Sequence, residues 1–287
     1  MEERLLILDG NSILYRSYFA LPKLKTKEGT PTNAIYGFFL IFFKLIREIK
    51  PTHLIVCFDA KGKTFRHEEF EQYKIQRKKP PSDLVLQSRQ LKSVLEKGGI
   101  FFYEKEGFEA DDLIASVCEK FKHIEKIIVS LDSDLFQLIN ENTKVCFLKR
   151  KGIEVYDKRK LKEEYKIDPE KFAYYKALVG DLSDNIPGVE GIGIKKAVEI
   201  LEKIEDFENF FSGKEIWKLN QRDREILIKN KERILTNLSL VCLRKDLNLN
   251  FDLRDCQIKK IKKEGLKEAF KKLEFSSLAK RVEEIDC

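Results

Sequence analysis

The apolar positions of this chain fall into short uninterrupted runs separated by longer amphipathic stretches. Leu5-Leu6-Ile7-Leu8 is one such run, with Asp9 and Gly10 at its exit. A run without polar alternation reads as a strand buried on both faces. Leu54-Ile55-Val56-Cys57-Phe58 follows Pro51 and ends at Asp59, and Ile127-Ile128-Val129-Ser130-Leu131 ends at Asp132-Ser133-Asp134. Ile100 to Tyr103 is a shorter run of the same kind. Helical patterns lie between them. From Ile35 to Ile49, Phe38, Phe39, Phe42, Phe43 and Ile46 recur at helical spacing. Leu113, Ile114, Val117, Cys118 and Phe121 do the same behind an acidic start, Phe108-Glu109-Ala110-Asp111-Asp112. Strand alternating with helix predicts an α/β domain with a mainly parallel sheet covered on both faces.

Residues 65–98 carry no strand signal. Arg66, Lys74, Arg77, Lys78 and Lys79 are interleaved with Phe70 and Tyr73, Pro80-Pro81 breaks the segment, and Ser82-Asp83 opens a helix that runs to Gly98-Gly99. The segment is a solvated helical hairpin or a mobile basic element that contacts phosphates and offers a ring for stacking. After Val155 the strand signal fades, and Ala173 to Val179 reads as a helix stopped by Gly180. From Asp181 to Ala197, two acids, Asp181 and Asp184, precede a glycine-spaced turn and a helix start carrying Lys195 and Lys196. Gly188, Gly191 and Gly193 would let backbone N–H groups approach a phosphate, as in a helix-turn-helix that grips backbone instead of reading bases. Leu238 to Leu243 reads as a strand returning to the first domain. Ile258 to Lys272 reads as a lysine-rich helix packed through Leu266, Ala269, Phe270 and Leu273.

Composition narrows the class. With 287 residues and 43% hydrophobic content the chain can form one large or two smaller domains. No apolar stretch approaches the roughly 20 residues of a membrane span, and Met1-Glu2-Glu3-Arg4 with the short run after it lacks the features of a signal peptide. Cys57, Cys118, Cys146, Cys242, Cys256 and Cys287 are scattered without a CxxC pair, so the expectation is a soluble, cytoplasmic protein without a disulfide framework. His53, His67 and His123 lack zinc-site spacing. Gly62-Lys63-Thr64 looks like the end of a phosphate-binding loop, but Cys57 stands where that loop needs glycine, which excludes it. The 55 basic against 48 acidic residues leave a net charge of +7, and sequestering the acids at one site would leave a basic surface suited to nucleic acid. A charged fraction of 36%, mostly Lys and Glu, is a thermophile-like composition.

An acidic first helical turn alone is satisfied by the helix dipole. Repetition changes the reading. Asp9, Asp59, Asp132 and Asp134 stand at strand exits, where open α/β sheets bind ligands, and Asp181 and Asp184 adjoin the glycine turn. A chain that delivers carboxylates to element ends in this way gathers them around divalent metal.

At this point the motifs resemble the 5′-nuclease domain of bacterial DNA polymerase I, within the flap endonuclease superfamily. The matching pieces are Leu8-Asp9-Gly10-Asn11-Ser12, Tyr36-Gly37-Phe38, Phe58 through Arg66, Tyr73-Lys74-x-x-Arg77, Glu109-Ala110-Asp111-Asp112, Asp132-x-Asp134 and Gly180-Asp181-x-Ser183-Asp184-Asn185-Ile186-Pro187-Gly188-Val189. They run in order from about residue 5 to about residue 255. Leu131 and Ser133 depart from the family pattern, which usually has glycine and a basic residue there. Because the sequence stops at Cys287, it is expected to be a free-standing nuclease or an excised domain, with a DNA polymerase as a separate partner.

The resemblance implies a PIN-like catalytic domain over 1–170 with a helical arch at 65–98, a helix-hairpin-helix-type (H3TH) DNA-binding subdomain over 171–262, and a helical extension over 263–287. It implies a structure-specific 5′-3′ exonuclease or flap endonuclease acting as a monomer, without a membrane, on DNA with 5′ flaps, nicks or single-strand/duplex junctions. Asp9, Asp59, Glu109, Asp111, Asp112, Asp132, Asp134, Asp181 and Asp184 would hold two Mg²⁺ ions, with Mn²⁺ as a substitute. Lys74 and Arg77 would lie over the scissile phosphate. Arg16, Lys63, Arg66, Tyr73, Gly188, Gly191, Gly193, Lys195 and Lys196 would complete the DNA contacts. The alternatives are a PIN-type RNase, which needs neither the 181–197 element nor the long basic segment, and a non-catalytic junction binder, which does not need the full carboxylate set.

Overall fold

The protein is described here by a computed structural model over residues 3–149 and 152–285; Met1, Glu2 and Cys287 lie outside the described residues. Among these residues one sheet of six strands forms, in the order β3-β2-β1-β4-β5-β6. β1 (Arg4–Asp9), β2 (His53–Cys57), β3 (Phe102–Tyr103) and β4 (Glu125–Ser130) are the runs expected from the apolar pattern. β1 pairs in parallel with β2 on one side and β4 on the other, Leu8 lying opposite both Val56 and Val129. Burial on both faces is literal: Leu5 and Ile7 enter one core, Leu6 and Leu8 the other.

Two strands escaped the sequence pattern. β5 (Thr143–Lys149) adds in parallel to β4, and β6 (Gly152–Tyr156) pairs antiparallel with β5 at the sheet edge. Lys144, Lys149 and Glu154 interrupt the apolar positions of this edge hairpin on both faces, so its apolar signal is diluted.

Helices follow the strands. α1 (Gly10–Ala20) and α2 (Asn33–Ile49) connect β1 to β2, α3 (Phe65–Glu69) and α4 (Ser82–Lys97) connect β2 to β3, and α5 (Ala110–Lys120) connects β3 to β4. The chain therefore runs outward from β1 to β3 and returns to β4 beside β1, and the strand order reverses between β1 and β4. Ligands of open sheets bind at such a reversal. The segment 65–98 is helical only at its ends. α4 buries Leu84, Gln87, Leu91, Val94 and Leu95, so the part of the segment left without a helix is the run of turns at 70–81.

Beyond α6 (Lys158–Tyr165) a helical lobe forms from α7 (Phe172–Val179), α8 (Ile194–Leu201), α9 (Phe207–Phe211), α10 (Gln221–Lys229) and α11 (Lys231–Val241). The expected strand at Leu238–Leu243 is instead the end of α11. Ile234, Leu238 and Val241 follow a helical repeat, and Asn237 Nδ2 donates to Ala177 O (2.9 Å) and Pro187 O (2.7 Å). The lysine-rich helix starts later than expected, as α12 (Lys263–Lys272), because Ile258–Lys260 is a tight turn whose entry pairs with His53. α12 and α13 (Ser276–Arg281) cover α2 and α4 on the far face of the sheet, with Phe270 against Phe39 at 4.8 Å between ring centroids.

Candidate active site

The acids arrive at one edge for separate local reasons. Asp9 ends β1 and caps α1: its Oδ1 accepts from Ser12 N (2.9 Å) and its Oδ2 from Ser130 Oγ (2.6 Å). Asp59, just past β2, accepts from Ala110 N (2.7 Å) and Asn11 Nδ2 (2.8 Å), which ties the β2 exit to the start of α5. Glu109 caps α5, with Asp111 and Asp112 in its first turn. Asp132 caps the short helical turn after β4 and accepts from Asp134 N (2.8 Å). Asp181 and Asp184 come from the turn after α7, where Asp181 Oδ1 accepts from Ser183 N and Ser183 Oγ (both 2.7 Å).

Crowding leaves its mark on protonation. Burial pushes the Asp9 carboxyl up to about 7, with Asp59 and Asp132 adding repulsion. Burial likewise pushes Asp134 up to about 7, with Asp132 the main repelling neighbour. Asp111 is held well above the usual carboxylate range by burial and then by Asp132 and Asp9. Each anion destabilises the others.

Cations of the chain stand among these acids. Lys74 Nζ lies 2.8 Å from Glu109 Oε1 and 3.7 Å from Asp184 Oδ2, and Arg77 Nη2 lies 2.5 Å from Asp184 Oδ1. Lys176 Nζ lies 2.8 Å from Asp134 Oδ1, an ion pair off the hydrogen-bonding direction, and also contacts Asp181 Oδ2. Among the described residues, no three His, Cys, Asp or Glu groups are arranged as a ready-made metal cage. The donor chemistry nonetheless fits a hard divalent cation: the cluster is all carboxylate oxygen, without thiolate or imidazole, and burial makes its negative charge costly.

Three expectations need correction. Asp112 is fully buried, and Arg66 grips both its oxygens (2.7 and 2.8 Å) while Arg244 N donates to Oδ1 (3.0 Å). It has no free oxygen facing the cluster and acts as an anchor, not a ligand. Arg66, 2% exposed, also donates to Leu240 O (2.7 Å), so it is an internal strut and not a DNA contact. Tyr73 is buried too, with its hydroxyl donating to Glu109 (3.0 Å) and Asp184 (3.2 Å), and its ring is unavailable for base stacking.

The remaining expected contacts separate by exposure. Lys63 and Lys195 are exposed, Arg16 is half-buried and donates to Lys149 O (2.7 Å), and Lys196 is tied to Glu199 (3.1 Å) and Asp223 (3.2 Å). Gly191 and Gly193 are exposed, and Gly193 caps α8. Gly188 has another purpose: a Cβ there would sit 2.5 Å from Val179 O, so its smallness lets the turn lie against the end of α7. The residue missed in the sequence is Lys176. Its signal was present, as the one charged side chain within Phe-Ala-Tyr-Tyr-Lys-Ala-Leu-Val, an otherwise uncharged helix that leads to Asp181.

Residues 4–166 match the family described as 5′-3′ exonuclease, N-terminal resolvase-like domain, and residues 167–264 match its C-terminal SAM fold. The chain belongs to the 5′-3′ exonuclease family. It is 42% identical to a 5′-3′ exonuclease of Aquifex aeolicus over 283 residues, covering 98% of this chain and 96% of the relative. It is 39% identical to DNA polymerase I of Caldicellulosiruptor bescii, covering 97% of this chain but 33% of the polymerase, so it spans about a third of such relatives. Among solved structures, a bacteriophage T5 flap endonuclease in a complex with DNA and metal ions superposes with a TM-score of 0.68 at 23% identity, each chain 99% covered. Flap endonuclease-1 from Methanococcus jannaschii superposes at 0.64 and 19% identity, with 99% of this chain and 92% of that one covered. This exonuclease-family chain therefore joins a mixed α/β nuclease domain to a SAM-like helical lobe, with the acid cluster at the sheet's carboxyl edge.

Proposed function

We propose that the chain hydrolyses phosphodiester bonds at 5′ ends, flaps and nicks of DNA, as a Mg²⁺-dependent, cytoplasmic monomer working beside a DNA polymerase. The observation that carries this reading is the meeting of Asp9, Asp111, Asp132 and Asp134 at the strand-order reversal, with Lys74 and Arg77 beside them. Asp9, Asp111, Asp132 and Asp134, with Asp59, Glu109, Asp181 and Asp184 around them, would hold two divalent ions. Such ions supply a hydroxide at neutral pH and stabilise the leaving oxygen.

The chain's own groups do the rest. Ser12 N and Ser130 Oγ fix the Asp9 carboxylate through both oxygens. Lys74 and Arg77 come from the turns at 70–81 and bring positive charge to where a phosphate would gather negative charge during cleavage. Lys63, Lys195 and the open N-terminus of α8 offer phosphate contacts to the flanking duplex.

The test is cleavage of matched flap, nicked, single-stranded and RNA substrates in Mg²⁺, Mn²⁺ and EDTA. The reading expects metal-dependent release of 5′ fragments from the DNA flap and nick. Faster cleavage of single-stranded RNA would favour the PIN-type RNase, and binding of junctions without cleavage in any metal would favour a non-catalytic relative.

A further inference from the structure

We propose that Lys176 is the internal counter-ion of the Asp134–Asp181 half of the site, and that a divalent cation enters that half only by displacing its ammonium group. The inference rests on the reading of the cluster as a metal site. Lys176 is 9% exposed and rises from α7, a helix whose other seven side chains are uncharged. Its Nζ reaches Asp134 Oδ1 at 2.8 Å and also contacts Asp181 Oδ2, joining an acid of the α/β domain to an acid of the helical lobe.

Such a lysine is costly to bury unpaired and strongly held once paired. Its charge sits on a flexible stem as a point charge, unlike an arginine fork that would bind both acids in fixed geometry. It can therefore leave without unfolding its helix. A cation that takes both carboxylates must also send the ammonium toward solvent, which sets its affinity below that of the Asp9–Asp111 half. No comparable contact of a lysine or arginine with Asp9 or Asp111 occurs among the described residues.

The experiment is Mn²⁺ binding by calorimetry and electron paramagnetic resonance, without DNA, on the wild-type chain and on Lys176→Met and Lys176→Arg. Lys176→Met keeps the stem and removes the charge, so the weaker Mn²⁺ association should tighten by about tenfold or more, while Lys176→Arg stays at or below wild-type affinity. In EDTA, Lys176→Met should melt at a lower temperature, and Mg²⁺ should restore more stability to it than to wild type. On the wild-type chain, reductive methylation followed by mass spectrometry should find Lys176 slow to react in EDTA and several-fold faster in saturating Mg²⁺, a readout that does not require the variant to fold. Equal Mn²⁺ isotherms, a weaker association in Lys176→Met, or methylation indifferent to Mg²⁺ would overturn the displacement. Absence of Mn²⁺ binding by the wild-type chain would overturn the metal reading beneath it.

Discussion

Asp111 and Asp112 are neighbours in sequence and opposites in role. Asp111 faces Asp9 and Asp132, and its carboxyl is pushed up by burial and by their charge. Asp112 turns the other way into the Arg66 guanidinium and the Arg244 backbone. The sequence motif could place both at the first turn of a helix, but successive helical positions point about 100° apart, and only the packing around Arg66 reveals which side is inside. The two substitutions should therefore separate. Asp111→Asn should abolish cleavage in Mg²⁺ while flap binding in Ca²⁺ and the unfolding midpoint change little, measured by single-turnover assay, fluorescence anisotropy and urea denaturation. Asp112→Asn should instead destabilise the fold, because it strands a buried guanidinium; removing one partner of a buried ion pair costs about 3–5 kcal/mol. Urea unfolding reads that loss directly, and a midpoint equal to wild type would return Asp112 to the candidate ligands.

At the scale of elements, the sequence reads α8 and the glycine turn before it as one unit approaching phosphate, but the glycines within it divide the work. Gly180 adopts φ 78° and faces Gly188 so closely that a Cβ on it would lie 2.4 Å from Gly188 N. That pair closes the turn onto α7. Gly191 and Gly193, with Lys195, form the exposed rim. Lys196, equally prominent in the sequence, is drawn sideways to Asp223, a buried acid that no local pattern could have flagged. Lys195→Ala should accordingly flatten the slope of log affinity against log salt by about one unit on duplex DNA of any sequence. Lys196→Ala should flatten it less and lower the thermal midpoint. Titrations of both variants across a salt series test this, and equal slopes for wild type and Lys195→Ala would make the rim a structural turn only. The missed edge hairpin β5–β6 was hidden by its charged positions, whereas the misread end of α11 is a short apolar run that bears no period, so tertiary neighbours decide between strand and helix.

At the scale of the whole molecule, the two lobes close on each other above the acids. Arg66 donates to Leu240 O, Gln137 Nε2 to Val241 O (3.1 Å), and Ser116 Oγ to Arg244 O (3.0 Å), which fixes the helical lobe against α5 and the turn after β4. On the other side the turns at 70–81 lie on the Asp181–Ile186 turn. There Lys74 N donates to Asp184 O (3.0 Å), Asn185 Nδ2 to Gln72 O (2.9 Å), and Gln76 Nε2 to Asn185 Oδ1 (2.5 Å). A continuous bridge of chain thus runs from α3 to α4 across the cluster, joined at mid-span to the opposite lobe. A DNA strand reaching the acids must pass beneath this bridge or part its contacts with the second lobe. Tyr73 and Lys74 anchor the bridge inside, but its outer joint, Gln76 on Asn185 and the half-exposed Arg77 on Asp184, is polar and near the surface, where such contacts are worth little individually in water. On a threading reading, a free 5′ end passes beneath the bridge once this outer joint parts, whereas a bulky protein on that end does not. Capping a flap's 5′ end with streptavidin before adding enzyme should therefore suppress cleavage strongly. Adding the same cap after enzyme and flap have combined in Ca²⁺, then supplying Mg²⁺, should leave cleavage intact. Gln76→Ala together with Asn185→Gly loosens the mid-span joint without touching an acid, and should relieve part of the block on pre-capped flaps. Equal cleavage of capped and uncapped flaps by the wild-type chain would mean that the bridge swings clear as a unit, with the strand lying in an open groove.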